Sequence, residues 1–211
     1  MIRIVAISDT HERHEELILP EGDVLICAGD VTANGRLQSL ARFAQWMERQ
    51  QHRRKILIAG NHDICFESKP AAAREVIASL APSVTYLQDS WTSVDGMRVY
   101  GSPWQPRFYD WAFNLDRGPA LAVKWARILP DTAILVTHGP PFGTLDMTPS
   151  GLRAGCEALA DRLVKLGVRL HVFGHIHHSY GVAERDGRIS VNASICDEGY
   201  RASNAPVVID L

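Results

Sequence analysis

This chain has little cysteine at useful spacing and no excess of charge of one sign. Cys27, Cys65, Cys156 and Cys196 form neither a CxxC pair nor a dense framework. That excludes a thiolate zinc module and a disulfide scaffold, and the four are expected to be reduced thiols in a cytoplasmic protein. Twenty-two Lys and Arg against 24 Asp and Glu leave a net charge of -2. No extended nucleic-acid surface or anionic-membrane patch is therefore expected. No apolar run approaches the roughly 20 residues of a membrane-spanning helix, and Met1 leads straight into strand pattern rather than a signal peptide. Repeats, low-complexity tracts and linker-like stretches are also absent. Residues 1–211 thus read as a single domain with room for a large core.

What is present is an α/β alternation. Ile2–Ile7 is short, apolar and β-branched, as in a strand buried on both faces, and Val24–Ala28 is similar. Leu37, Leu40, Ala41, Ala44 and Met47 recur at helical spacing before the strand pattern Lys55–Ala59, which predicts a βαβ unit and a parallel sheet. A helix follows from Pro70 to Leu80. Val84–Leu87, Trp91–Val94 and Met97–Tyr100 then read as short antiparallel strands, the last two joined by Asp95-Gly96. Ser102–Asn114, with Trp104, Phe108, Tyr109, Trp111 and Phe113, reads as a long aromatic loop. Helices are expected over Pro119–Leu129 and Cys156–Val164, and strands over Ala133–Val136, Val168–Phe173, Arg188–Ile195 and Pro206–Leu211.

Chemistry gathers at the strand ends. Five apolar runs end on Asp9-Thr10-His11, Gly29-Asp30, Gly60-Asn61-His62-Asp63, Thr137-His138 and Gly174-His175-Ile176-His177. Open α/β sheets bind ligands at the carboxyl ends of their strands. Asp9 and His11 lie two apart, as do His175 and His177, and a period of two would put each pair on one side of the backbone. Carboxylates, imidazoles and an amide without thiolate suit divalent Mn, Fe or Zn. The donors outnumber what one ion takes, so two ions sharing a carboxylate is the natural count. His14, His52 and His171 receive no role, and His178 would point away from His177 if the strand pattern continued.

These motifs resemble the five motifs of the calcineurin-like metallophosphoesterase superfamily, in the family's order, across residues 2 to 178. Val99-Tyr100-Gly101-Ser102-Pro103-Trp104, Thr137-His138-Gly139-Pro140-Pro141, His171-Val172-Phe173-Gly174-His175-Ile176-His177 and Asn192-Ala193-Ser194 are similar to the metallophosphoesterase-domain-containing branch. The resemblance implies two mixed β-sheets flanked by helices, an αββα sandwich. It implies Asp9, His11 and His177 as ligands of a first metal, Asn61, His138 and His175 of a second, and Asp30 as the bridge. Some vertebrate members carry glycine where His175 stands; the histidine here implies a complete second site.

Two divalent ions would activate water for attack on phosphorus. His62 is then the candidate proton donor, oriented by Asp63 or another carboxylate, with Asn61, His62 and Trp104 as candidate substrate contacts. The aromatic loop reads equally as a pocket wall or as a satellite core or homodimer contact. The five motifs contain no Arg or Lys, and the nearest basic residues are Arg107, Arg153 and Arg201. A monoanionic diester, such as a cyclic nucleotide, is thus favoured over a dianionic monoester. The alternatives are a phosphomonoesterase or protein phosphatase, and a metal-dependent nucleotide-binding protein with little turnover.

Overall fold

The computed structural model describes residues 1–211. Four strands, β1 (Arg3–Ile7), β2 (Val24–Cys27), β3 (Arg54–Leu57) and β4 (Val84–Tyr86), run parallel in one sheet. The C-terminal strand β13 (Val207–Asp210) closes its edge antiparallel to β1. The second sheet places β6 (Met97–Ser102), β9 (Thr132–Thr137), β10 (Leu170–Phe173) and β12 (Arg188–Asn192) parallel at its centre. Its edges are two antiparallel strands, β5 (Ser90–Val94) and β11 (Gly181–Arg185). Both sheets are therefore mixed.

Alternation along the strands builds four layers. Ile4 and Ala6 of β1 face the second sheet, where they meet Val99, Ile134, Val136 and Val172. Val5 and Ile7 face outward against Leu40, Phe43, Ala44 and Met47, the buried stripe of α1 (Leu37–Glu48), and against Ala73 and Ile77 of α3 (Pro70–Leu80). The short helix α2 (Cys65–Ser68) leads into α3. On the far side, Tyr100 and Leu135 pack under Leu121 and Trp125 of α4 (Pro119–Ala126) and Leu159 and Leu163 of α5 (Glu157–Leu163). The αββα sandwich is as expected. No helix is long and apolar enough to cross a membrane.

Three elements differ from the sequence expectation. β4 is not part of the antiparallel block; it pairs parallel with β3. The reason is that α3 intervenes, and a helical crossover returns the chain in the same direction. β11 was not anticipated, since three of its five residues are exposed and none is buried. The aromatic loop closes on itself through β7 (Gln105–Pro106) and β8 (Asn114–Leu115), with Gln105 N donating to Phe113 O and Arg107 N to Leu115 O.

The sheets meet where β1 and β12 run out. Ser8 and Ser194 form a parallel bridge, and Ile195 N donates to Ser8 O at 2.8 Å. Because that bridge is parallel, the carboxyl ends of the parallel strands in both sheets open on one rim.

Candidate metal centre

Each expected donor sits on this rim: Asp9 and His11 after β1, Asp30 after β2, Asn61 and His62 after β3, His138 after β9, His175 and His177 after β10. The pairing rule of two residues is not what brings them together. Asp9 (φ 52°), His11 (φ 41°), Asp30 (φ 54°) and His175 (φ 68°) all turn left-handed as the strands end. Asp and His tolerate that region better than most side chains, and its use concentrates at functional sites. Two glycines allow the backbone in close. A Cβ on Gly60 would run into Asp30 and His138, and one on Gly174 into Asp9 and Ser8.

Donor spacing tests whether a metal fits. Two ligand atoms about 2.1 Å from one ion stand roughly 3.0–3.4 Å apart at octahedral to tetrahedral angles. His177 Nε2 lies 3.3 Å from Asp9 Oδ1 and 3.3 Å from His11 Nε2. His138 Nε2 lies 3.3 Å from Asp30 Oδ2 and 2.9 Å from Asn61 Oδ1. Asp30 Oδ2 is also 3.8 Å from His11 Nε2, so one carboxylate oxygen faces both groups. Ring orientation agrees, since His138 Nδ1 donates to Ala28 O (2.9 Å) and His177 Nδ1 to Asp197 O (3.0 Å), which aims Nε2 inward. Imidazole nitrogens and amide and carboxylate oxygens thus converge on one small volume. The donor set fits divalent cations.

The charges agree. Burial alone would raise Asp9, but its hydrogen bond to His177 and the nearby imidazoles hold it well below the usual carboxylate range. Burial is outweighed again at Asp30, which the charge of His138 brings down to about 2. Against their own burial, Asp30 raises His138 and Asp9 raises His177, both to about 9. Burial lowers His11 to about 4 and His175 to about 3, leaving both neutral at pH 7. The two carboxylates are matched to positive charge, which protons or cations can supply.

Three sets of donors lie within 4.8 Å of one another: Asp9–His11–His177, Asp9–Asp30–His138 and His11–Asp30–His62. His175 is outside all three. Its backbone N–H donates to both Asp9 oxygens (3.1 and 3.0 Å), and its ring stands edge-on to His138 at 5.1 Å.

The expected orientation of His62 by Asp63 is not observed. His62 Nδ1 donates to Ala33 O (2.7 Å), and its ring stacks on Trp111 at 4.0 Å between centroids. Asp63 instead accepts from Val31 N, Thr32 N, Thr32 Oγ1 and Gly60 N, which ties the Asp30 loop to the Asn61 loop. A carboxylate three residues beyond Gly60 folds back onto these backbone donors before it can reach the neighbouring ring. Burial, with the charge of Asp30, pushes its carboxyl up to about 6 against the donors of Gly60 and Thr32.

Over the donors opens a cleft of about 250 Å³, whose lining includes Asp30, Asn61, His62, His175, His177, Phe108 and Tyr200. Trp104 does not line it, contrary to expectation. Its indole N–H donates to Asp89 (2.9 Å), Lys124 Nζ sits 3.8 Å over the ring, and Phe113 meets it edge-on. The aromatic loop is thus divided: Trp104 and Phe113 go to the core, Trp111 to His62 and Phe108 to the cleft. Arg107, Arg153 and Arg201 are absent from the lining and pair with Asp116, Asp146 and Asp197.

Sequence reasoning missed several residues. Ser194 Oγ donates to Asp9 Oδ2 at 2.8 Å; its only signal was the Asn192-Ala193-Ser194 text. His178, in a 3₁₀ turn (His177–Ser179) rather than a strand, lines the cleft and pairs with Glu198 at 2.8 Å. Nothing in the sequence pointed to Glu198 or Tyr200.

A family model described as calcineurin-like phosphoesterase matches residues 2–179. The chain is 43% identical over 230 residues to metallophosphoesterase domain-containing protein 1 of Homo sapiens, covering 99% of this chain and 71% of that protein. In fold it is similar to the phosphopantetheinyl hydrolase of Mycobacterium tuberculosis, with TM-score 0.63 and 18% identity over 97% of this chain and 95% of that one. It is also similar to an archaeal phosphodiesterase, with TM-score 0.54 and 15% identity over 99% and 93%.

Proposed function

Since the chain belongs to the calcineurin-like phosphoesterase family, we propose that its reaction is metal-dependent hydrolysis of small phosphodiesters, cyclic nucleotides among them. As a member of that family it is a metallophosphoesterase, a hydrolase. Asp9, His11 and His177 would hold a first divalent ion and Asn61, His138 and His175 a second, with Asp30 between. Mn, Fe and Zn all suit nitrogen and oxygen donors. Bound there, the ions would neutralise phosphoryl charge and lower the pKa of the attacking water.

The chain's own residues supply the rest. His62 lines the cleft with Nδ1 committed to Ala33 O, so Nε2 is the nitrogen free to pass a proton to the departing alkoxide. Trp111 and the Ala33 carbonyl fix the plane of that ring. Phe108 and Tyr200 offer apolar surface to an organic substituent.

One observation carries the choice of diester: the cleft lining contains four histidines, Asp30 and Glu198 but no arginine or lysine. A second negative charge on the ester would meet no guanidinium or ammonium. The size of the cleft, near the small end of ligand pockets, also supports a small substrate. The test is turnover of a diester and monoester panel by metal-stripped protein reloaded with Mn, Fe, Zn or Mg. Higher kcat/KM for diesters is expected. Faster hydrolysis of monoesters throughout would move the protein to the phosphatase reading, and binding without turnover would make it a nucleotide-binding protein.

A further inference from the structure

The turn from Asp197 to Arg201 is built more firmly than a surface connection requires. Asp197 Oδ1 accepts from Gly199 N (2.8 Å) and Arg201 N (3.0 Å), and Oδ2 from the Arg201 guanidinium at 2.8 and 3.0 Å. Asp197 N donates to Arg201 O and Tyr200 N to Asp197 O, both at 2.9 Å. The carbonyl of Asp197 also takes the Nδ1 proton of His177. One compact turn is thus anchored to a candidate metal ligand, and it projects two side chains, Glu198 and Tyr200, into the cleft lining.

Tyr200 has φ 56°, a conformation costly for a bulky side chain. Its ring stands edge-on to three imidazoles at once: His11 at 4.8 Å, His177 at 5.6 Å and His62 at 6.2 Å. It is 46% exposed, so one side remains open to a ligand. The strained backbone puts an aromatic face beside the reacting centre, a position that the relaxed chain direction would not supply. Glu198, held by His178, adds a carboxylate at the same rim. Arg201, the only cation of the turn, is consumed by Asp197 and its side chain is 79% exposed.

We propose that the Asp197–Arg201 turn is the substrate selector of the cleft. Tyr200 receives an aromatic or similarly flat substituent of the ester, and Glu198 disfavours a second negative charge. This rests on the phosphodiesterase reading for the identity of the bond cleaved, and on the turn alone for the selection.

The test uses esters that share one leaving group: phenyl p-nitrophenyl phosphate, methyl p-nitrophenyl phosphate and the monoester p-nitrophenyl phosphate. The kcat/KM ratio of phenyl to methyl diester should fall about tenfold in Tyr200→Asn, the size of one lost aromatic stack, and return in Tyr200→Phe. Asn is chosen because it accepts positive φ. In Glu198→Gln the monoester-to-methyl-diester ratio should rise about threefold, more at low salt. Metal content and melting temperature, read alongside, confirm that each variant is folded. A phenyl-to-methyl ratio within twofold of the parent in Tyr200→Asn would overturn the role of Tyr200. If Tyr200→Asn does not fold, an unchanged monoester ratio in Glu198→Gln, a half-exposed site, overturns the selector by itself. A parent enzyme that prefers the monoester would instead strike the phosphodiesterase reading, whatever the ratios in the variants.

Discussion

Asp63→Asn exchanges one oxygen for nitrogen at a fully buried carboxylate. Oδ1 accepts from Thr32 N and Thr32 Oγ1, both at 2.9 Å, and Oδ2 from Val31 N (3.2 Å) and Gly60 N (3.0 Å). Asparagine keeps one oxygen and turns an NH₂ against two donors. Hydrogen bonds to a charged acceptor contribute about 1.5–3 kcal/mol each, so losing two costs about 3–6 kcal/mol. The substitution also removes a charge that burial and Asp30 disfavour, the cause of its rise to about 6. A rise of that size offsets roughly 3 kcal/mol. The two together predict a loss centred near about 1.5 kcal/mol, or roughly 3–6 °C in Tm for a chain of this length. The clasp joins the loops that carry Asp30 and Asn61, so metal affinity should fall about tenfold as well, the lower end for lost supporting contacts. Thermal unfolding followed by circular dichroism in chelator, where bound metal cannot mask the loss, measures the first effect. Metal titration measures the second. If kcat fell while Tm stayed within a degree of the parent, Asp63 would act on His62, and the clasp would be the wrong account.

Four further predictions follow from particular contacts. His62→Ala should retain metal stoichiometry and lower kcat by about 10²–10⁴, more for alkoxide than for nitrophenolate leaving groups; equal losses with both would remove it from proton transfer. Gly174→Ala drives a Cβ into Asp9 and Ser8 and should weaken metal binding by about 10–100-fold in a calorimetric titration. Trp104→Ala should destabilise by about 3 kcal/mol, since the ring packs against Lys124 and Phe113, while KM for nucleotide diesters stays within twofold; a large KM change would return Trp104 to the pocket. His171 is fully buried, and burial with the charge of Arg188 lowers it to about 3. The unfolded chain takes up this proton first, so the contribution of neutral His171 is complete above about pH 6.5 and is lost as pH falls toward 3. Between pH 6.5 and 5 that amounts to about 2 kcal/mol, so Tm of His171→Gln should decline less steeply there than Tm of the parent.

How much of this was readable beforehand depends on the range of the interaction. An apolar run buried on both faces is a local property, so β1, β2, β9 and β10 could be placed from their residues. The same holds for the 3.6-residue stripe of α1. Metal-type donors directly after such runs were legible too, because a strand end in an α/β sheet can face few other places. The rule that seemed to pair Asp9 with His11 was wrong in mechanism, since both turn left-handed where strand alternation no longer applies. The residues still share one rim because the parallel Ser8–Ser194 bridge brings the carboxyl ends of both sheets together.

What local pattern could not settle was where side chains point once loops close over one another. Trp104 and Phe108 lie four residues apart in one aromatic segment, yet the first is tied to Asp89 and Lys124 from distant elements and the second reaches His175. Asp63 stands next to His62 but spends its charge on Val31, Thr32 and Gly60, because unpaired backbone N–H groups of a facing loop are nearer than the ring. Tyr200 and Glu198 become cleft residues only because the turn that bears them is fastened to His177 through Asp197. The residues alone thus determined the strand order of donor types and the chemistry those donors can do. The tertiary structure decided which groups surround them, since those contacts come from chain segments tens to more than a hundred residues apart, beyond the reach of any local periodicity.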